Sequence, residues 1–127
     1  MTAPDATSAA LLVSRDLFFT SKVTGTAEML GFDVQVVADA KAAAERVAAA
    51  PYACIFIDLA DLEFDVAGFF ARLSAEGRPP VVAFGSHVAT ARLQAARDAG
   101  CDDVLPRSRF SARLPDLLRK YCGRAGA

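Results

Sequence analysis

The residue best placed to do chemistry in this chain is Asp58. It closes the run Ala53-Cys54-Ile55-Phe56-Ile57, an unbroken apolar stretch that reads as a fully buried strand. A carboxylate at the end of such a strand stands at the carboxyl edge of a sheet, where ligands of open α/β folds collect. There it can bind a hard cation or pair with a guanidinium. Other polar residues follow apolar runs in the same way. Ser14-Arg15-Asp16 follow Leu11-Leu12-Val13, Ser86-His87 follow Val81 to Gly85, and Pro106-Arg107-Ser108-Arg109 follow Val104-Leu105.

Several chemistries are excluded by type and spacing. His87 is the only histidine, and no Cys–His or Ser–His–Asp set stands at workable spacing, so an ordinary enzyme is not expected. His87 itself reads as a helix-start residue or half-buried filler. Neither the Walker pattern nor G-x-G-x-x-G is present. The acidic stretch Asp58, Asp61, Glu63 and Asp65 lacks the glycine and the closing glutamate of a calcium loop, and reads as a solvated loop. Arg107 and Arg109 flank a hydroxyl just before a helix, a pattern that suits an anion such as phosphate, a nucleotide or a carboxylate.

The elements that would position these groups alternate regularly. Five short apolar runs are expected as strands: Ala10–Val13, Val34–Val37, Ala53–Asp58, Val81–Phe84 and Asp103–Leu105. Helical stretches follow each. The first carries Phe19, Val23, Ala27 and Leu30 on one face and stops at Gly31. The second is capped by Asp39 and ended by Pro51, and the third is capped by Asp65 and bears Phe69, Phe70 and Leu73. The fourth runs from about Val88 to Ala99. In the last, Leu114, Leu117, Leu118 and Tyr121 share a face, with Pro115 expected in the first turn. Helical crossovers of this length join parallel strands. The expected fold is a single five-stranded parallel sheet with helices on both faces, a flavodoxin-like (βα)5 domain over residues 10–122. Residues 1–9 read as a flexible tail and 123–127 as a short one. In each of the pairs Phe18-Phe19 and Phe69-Phe70, one ring must face away from the sheet.

Bulk properties agree with a packed domain. At 127 residues and 54% hydrophobic, the chain can bury a proper core. A net charge of −1 encodes no general pull towards nucleic acid or anionic membrane, and no apolar run approaches the ~20 residues that span a bilayer. The first ten residues lack the regions of a signal peptide. The three cysteines, Cys54, Cys101 and Cys122, are odd in number and lack metal-ligand spacing, which suits a reduced, cytoplasmic compartment.

The order, spacing and loop residues resemble the receiver domain of two-component response regulators, a CheY-like domain, over roughly residues 10–122. The resemblance makes Asp58 the equivalent of the phospho-accepting aspartate and Ser86 the equivalent of the Ser or Thr that ends the fourth strand. Ala99-Gly100-Cys101-Asp102-Asp103 is similar to the family's Gly-Ala-Asp-Asp run. It implies a two-component or phosphorelay signalling module with protein partners, a histidine kinase or a downstream effector. It also implies docking, including homodimer formation, through the fourth helix, fifth strand and fifth helix. Arg92, Arg97, Arg113 and Arg119 are expected as solvated residues of that face.

The chain departs from the family at several positions. Where the family places two acidic residues that help hold Mg²⁺, this chain has Ser14 and Arg15, and Asp16 comes one residue late. His87 stands where a small residue is usual, Val104 at the aromatic switch position, and Arg107-Ser108 in place of Lys-Pro. The expectation is an atypical, degenerate member, a pseudo-receiver. In it Arg15 or Arg107 pairs with Asp58 and takes over the cation's role, with no cofactor and no phosphoryl transfer. The alternative is a working receiver phosphorylated at Asp58, with Mg²⁺ held by Asp16 and Asp58. A third reading is an anion- or nucleotide-binding α/β protein.

Overall fold

The computed structural model describes residues 9–74 and 76–123. The two expected tails therefore fall, apart from Ala9 and Gly123, outside the described residues.

Ten elements alternate along the chain: β1 (Ala10–Val13), α1 (Leu17–Leu30), β2 (Val34–Val37), α2 (Ala40–Ala49), β3 (Cys54–Asp58), α3 (Val66–Arg72), β4 (Val81–Gly85), α4 (Thr90–Ala99), β5 (Asp103–Pro106) and α5 (Arg107–Cys122). The strands form one sheet in the order β2-β1-β3-β4-β5, and every pairing is parallel. β1, β3 and β4 are buried at every position, which is why their sequences read as apolar runs rather than alternations. The outer strand β2 is buried only at its ends.

Side chains of successive strand residues point to opposite faces, and this divides the core in two. Leu12, Phe56, Val82 and Phe84 pack with Val23 and Ala27 of α1 and Phe110, Leu114 and Leu118 of α5. Leu11, Ile55, Ile57 and Ala83 pack with Ala43 of α2, Phe69 of α3, and Leu93 and Ala96 of α4. Phe110 is fully buried, stacked on Phe84 at 4.1 Å and edge-on to Phe56 at 5.1 Å, so three rings from α5, β4 and β3 form the centre of the first layer.

Local signals set most helix ends. Asp16, Asp39 and Asp65 each accept a backbone N–H three residues on, from Phe19, Ala42 and Gly68, at 2.8–3.0 Å. Gly31, at φ 84°, and Gly100, at φ 115°, close α1 and α4 in the left-handed region that favours glycine. Three boundaries differ from expectation. α4 begins at Thr90 rather than Val88, because Ser86–Ala89 form a turn in which the Ala89 N–H donates to the Ser86 carbonyl at 3.0 Å. α3 stops at Arg72, leaving Leu73 as its cap residue. Pro115 lies in the middle of α5, not in its first turn, because the helix starts at Arg107. A mid-helix proline costs about 3 kcal/mol, and the burial of Phe110, Leu114, Leu117, Leu118 and Cys122 on either side of it offsets that cost.

Of the paired rings, Phe18 is 94% exposed while Phe19 packs on the core, and Phe69 is buried while Phe70 sits between Phe69 and Arg78. Cys54 and Cys122 lie in the first core layer. The hydrogen bond from Cys122, reinforced by burial, pushes the Cys54 thiol far above its ordinary range, so it behaves as a small core residue. Among the described residues, no helix is long and apolar enough to cross a membrane.

Candidate functional site

The strand order reverses at β1: the chain moves outward from β1 to β2, then returns to β3 on β1's other side. At such a switch point the carboxyl ends of two adjacent strands open a crevice. Register decides what meets there. Val13 is the partner of Ile57, so the next residues, Ser14 and Asp58, come side by side. The Ser14 hydroxyl donates to Asp58 Oδ2 at 2.7 Å. Asp58 is 3% exposed and Ser14 5% exposed, so this is a buried polar pair at the sheet edge.

Arg107 reaches the same carboxylate from the other direction. Asp58 is the partner of Phe84, and Gly85 is the partner of Pro106, so Arg107 emerges beyond β4 and turns back across it. Its Nη2 donates to Asp58 Oδ1 at 2.7 Å. The guanidinium carbon lies 4.6 Å from the centre of the Phe19 ring and 5.3 Å from that of Phe84. Two aromatic faces thus hold the planar cation in place. The pairing uses one nitrogen and not the two-pronged clamp a guanidinium prefers, because Ser14 already occupies Oδ2. The Ala60 N–H completes the shell, donating to Oδ1 at 3.0 Å. Both carboxylate oxygens are therefore engaged.

The other candidate residues are placed differently. Arg15 does not reach Asp58; its Nε lies 3.5 Å from Asp61 Oδ2 and 3.4 Å from the Ala38 carbonyl, on a side chain 55% exposed. Asp16 lines the same open cleft of about 290 Å³ with Arg15, Asp58, Ala60 and Asp61, but its Oδ1 accepts the Phe19 N–H as the cap of α1. Its own N–H donates to Ser14 Oγ at 3.1 Å. Ser86 accepts from the Val88 N–H at 3.4 Å within the turn before α4 and does not cap that helix, whose cap position is Ala89. His87 is exposed. Val104 is buried in the second core layer, on β5, which packs against α4. Ser108 and Arg109 are exposed. With Arg107 turned to Asp58, the pattern read as an anion site keeps one uncommitted arginine. Among the described residues, no three or more His, Cys, Asp or Glu side chains gather as a metal site.

Two polar clusters were missed in the sequence. Arg92, expected as a solvated residue of the fourth helix, folds back onto the loop after β3. It donates to the carbonyls of Leu59 at 3.1 Å, Asp61 at 2.9 Å and Phe64 at 3.4 Å. Asp61, in turn, is an ordered part of that loop rather than a solvated acid, since it also accepts the Glu63 N–H at 3.0 Å. Gly85 lets the loop lie close: a Cβ there would stand 3.2 Å from that of Leu59. The second cluster is at the opposite edge. Arg78 pairs with Asp102 at 2.9 Å, and the Val81 N–H donates to the same carboxylate at 2.7 Å. Burial works against the charge on Asp102, but the Arg78 and Val81 hydrogen bonds outweigh it and hold the carboxyl below its ordinary range. No signal of spacing marks either arginine, since both partners lie more than twenty residues away.

No protein-family model matches the sequence, and no curated protein matches it. Solved structures do match. The receiver domain of a sensor histidine kinase from Pseudomonas aeruginosa PAO1, which has a magnesium ion coordinated in its active-site cleft, superposes with a TM-score of 0.77 over 94% of this chain and 100% of that one, at 21% identity. A response regulator from Hahella chejuensis gives 0.77 over 90% and 94%, at 16% identity. A sensor protein from Polaromonas sp. JS666 gives 0.71 over 91% and 95%, at 21% identity. The five parallel strands and five helices are thus the flavodoxin-like fold of receiver domains.

Proposed function

We propose that this chain is a receiver-like signalling module, not an enzyme, that acts by protein–protein contact. In this reading Arg107 holds Asp58 in one charge-paired state, in place of metal binding and phosphoryl transfer. The observation that carries it is the 2.7 Å contact between Arg107 Nη2 and Asp58 Oδ1, with Ser14 on the other oxygen. The neighbours named as receiver domains and response regulators supply the signalling context.

The residues present do not fit Mg²⁺. The ion requires near-octahedral oxygen ligands at 2.0–2.1 Å and is bound through carboxylates. Here the position beside Asp58 is a hydroxyl that spends its proton on Asp58 itself. Asp16 is committed to capping α1, and a fixed guanidinium already neutralises Asp58. In this reading the phosphoryl acceptor role is disfavoured as well, because the Arg107 charge bond and the Ser14 hydroxyl bond both stabilise the resting carboxylate and would have to be given up or rearranged on attack. Val104, at the switch position, brings neither a hydroxyl nor a ring to answer a change at Asp58.

The test is incubation with a small acyl phosphate and Mg²⁺, followed by intact-mass measurement and magnesium titration by calorimetry. No mass gain and no binding heat are expected. A phosphorylated species lost on Asp58→Asn would overturn the reading in favour of a working receiver.

A further inference from the structure

A groove of about 600 Å³ runs between α1 and α5. It is lined by Phe19 and Lys22 of α1 and by Arg107, Ser108, Ser111 and Ala112 of α5. It is separate from the smaller cleft over Asp58, and Arg107 is shared between them: it lines the groove and bonds the carboxylate that lines the cleft.

The lining brings together two cations and two hydroxyls, with no carboxylate. These donors are uncommitted. Lys22 makes no ion pair among the described residues. Arg107 spends only Nη2 on Asp58; among the described residues its Nε and Nη1 meet no hydrogen-bond partner, and neither is shut off from solvent. Hydroxyls inside a helix commonly turn back to a carbonyl of the preceding turn, as those of Thr20 and Thr24 do in α1 at 3.1 and 3.2 Å. Ser108 and Ser111 make no such bond among the described residues. They stand three positions apart on one face of α5, as Phe19 and Lys22 do on α1. The start of α5 supplies no anion of its own, since its first turn holds no acidic residue and Pro106 gives no side-chain cap.

We propose that this groove binds the phosphate group of a small phosphorylated molecule. Donors that converge from two helices suit a tetrahedral group with three free oxygens better than a flat carboxylate with two. The volume lies within the range of small-molecule pockets, which leaves room for the esterified group beside Phe19 and Ala112. Because one guanidinium serves both places, the bound phosphate and Asp58 compete for it. Occupancy of the groove weakens the Arg107–Asp58 pair, and by the same linkage a neutral residue at position 58 tightens phosphate binding.

NMR titration of the full chain with inorganic phosphate and with a nucleoside monophosphate, at constant ionic strength set by chloride, tests this. Saturable shifts are expected at the amides of Lys22, Ser108 and Ser111, with the monophosphate ester binding at least as tightly as phosphate. Lys22→Ala should weaken binding by about tenfold, the loss of one charged hydrogen bond. Ser108→Ala with Ser111→Ala should weaken it by about fivefold. Asp58→Asn should tighten it by about threefold or more, by freeing Arg107. Arg113→Ala, which removes a cation from the same helix outside the groove, should change it by less than about twofold. Neither probe is an activated phosphoryl donor, so the result is independent of whether Asp58 accepts a phosphoryl group. Non-saturable shifts, acetate binding as tightly as phosphate, exclusion of the ester, or equal losses from Arg113→Ala and Lys22→Ala would each overturn the proposal. Unchanged affinity in Asp58→Asn would overturn the sharing of Arg107.

Discussion

Replacing Arg107 by alanine is the sharpest probe of the site. The substitution removes a 2.7 Å charged hydrogen bond to a carboxylate that is only 3% exposed. Asp58 would keep the Ser14 hydroxyl and the Ala60 N–H but lose its countercharge. At an effective dielectric of about 20, opposite charges ~4 Å apart attract by about 4 kcal/mol. Breaking a fully buried pair by removing one partner costs about 3–5 kcal/mol. The Arg107 side chain is 29% exposed, which lowers the figure, while its contacts over Phe19 and Phe84 are worth roughly 0.5–1 kcal/mol. The expected loss is about 3 kcal/mol at neutral pH, or a fall in melting temperature of roughly 10 °C for a domain of this size. Asp58→Asn keeps the shape and leaves a cation that can reach water, so it should cost only about 1–2 kcal/mol. Urea unfolding of both single variants and the double variant gives the coupling directly. A coupling above about 1.5 kcal/mol is expected for a pair this close. Coupling under about 0.5 kcal/mol, the level of a surface ion pair, would refute the reasoning. So would an Asp58→Asn variant more stable than the wild type, since the pair would then fail to offset the burial of the carboxylate.

Three further outcomes follow from the geometry. Arg92→Ala should free the loop after β3, raising amide exchange at residues 59–64 by tenfold or more (about 1.4 kcal/mol), and Arg92→Lys should not rescue it because one ammonium cannot reach three carbonyls. Asp102 has a folded-state pKa below its unfolded value, so the stability it contributes is present above the unfolded pKa of about 3.9 and is lost as pH falls through the folded one. Its side chain is 41% exposed, so solvent screening keeps that contribution under about 1 kcal/mol; Asp102→Asn should flatten the acid limb of a pH–stability curve by this small amount, and an unchanged limb would remove Asp102 from the account. Burial, with Asp102 adding to it, pushes the Cys101 thiol up to about 11. At pH 8 only about one molecule in a thousand carries the thiolate, so iodoacetamide should label native Cys101 far more slowly than the unfolded chain, and equal rates would contradict the placement.

The residues themselves determined the fold and the position of the site. Apolar runs too short for buried helices, separated by capped helical stretches, admit little besides parallel strands with crossovers, and a strand that ends in aspartate puts its carboxylate at the sheet edge. Asp39 and Asp65 announced helix starts because capping is local and needs only a side-chain oxygen and an N–H three residues on. Pro115 misled, because its cost to α5 is offset by burial that lies on both sides of it in the chain. What the tertiary structure alone decided is which arginine meets Asp58. Arg15 is nearer to the first strand's end and looked equally able, but the register of β1 on β3 gives the adjoining place to Ser14 and leaves Arg15 outside, facing Asp61. The register of β3 on β4 and of β4 on β5 brings Arg107 across the Phe84 ring to Asp58, forty-nine residues away in sequence. Arg92 is the same case, its three carbonyl partners lying about thirty residues back. Charge pairing between distant residues is a property of register, and register is settled by the packing of the whole sheet.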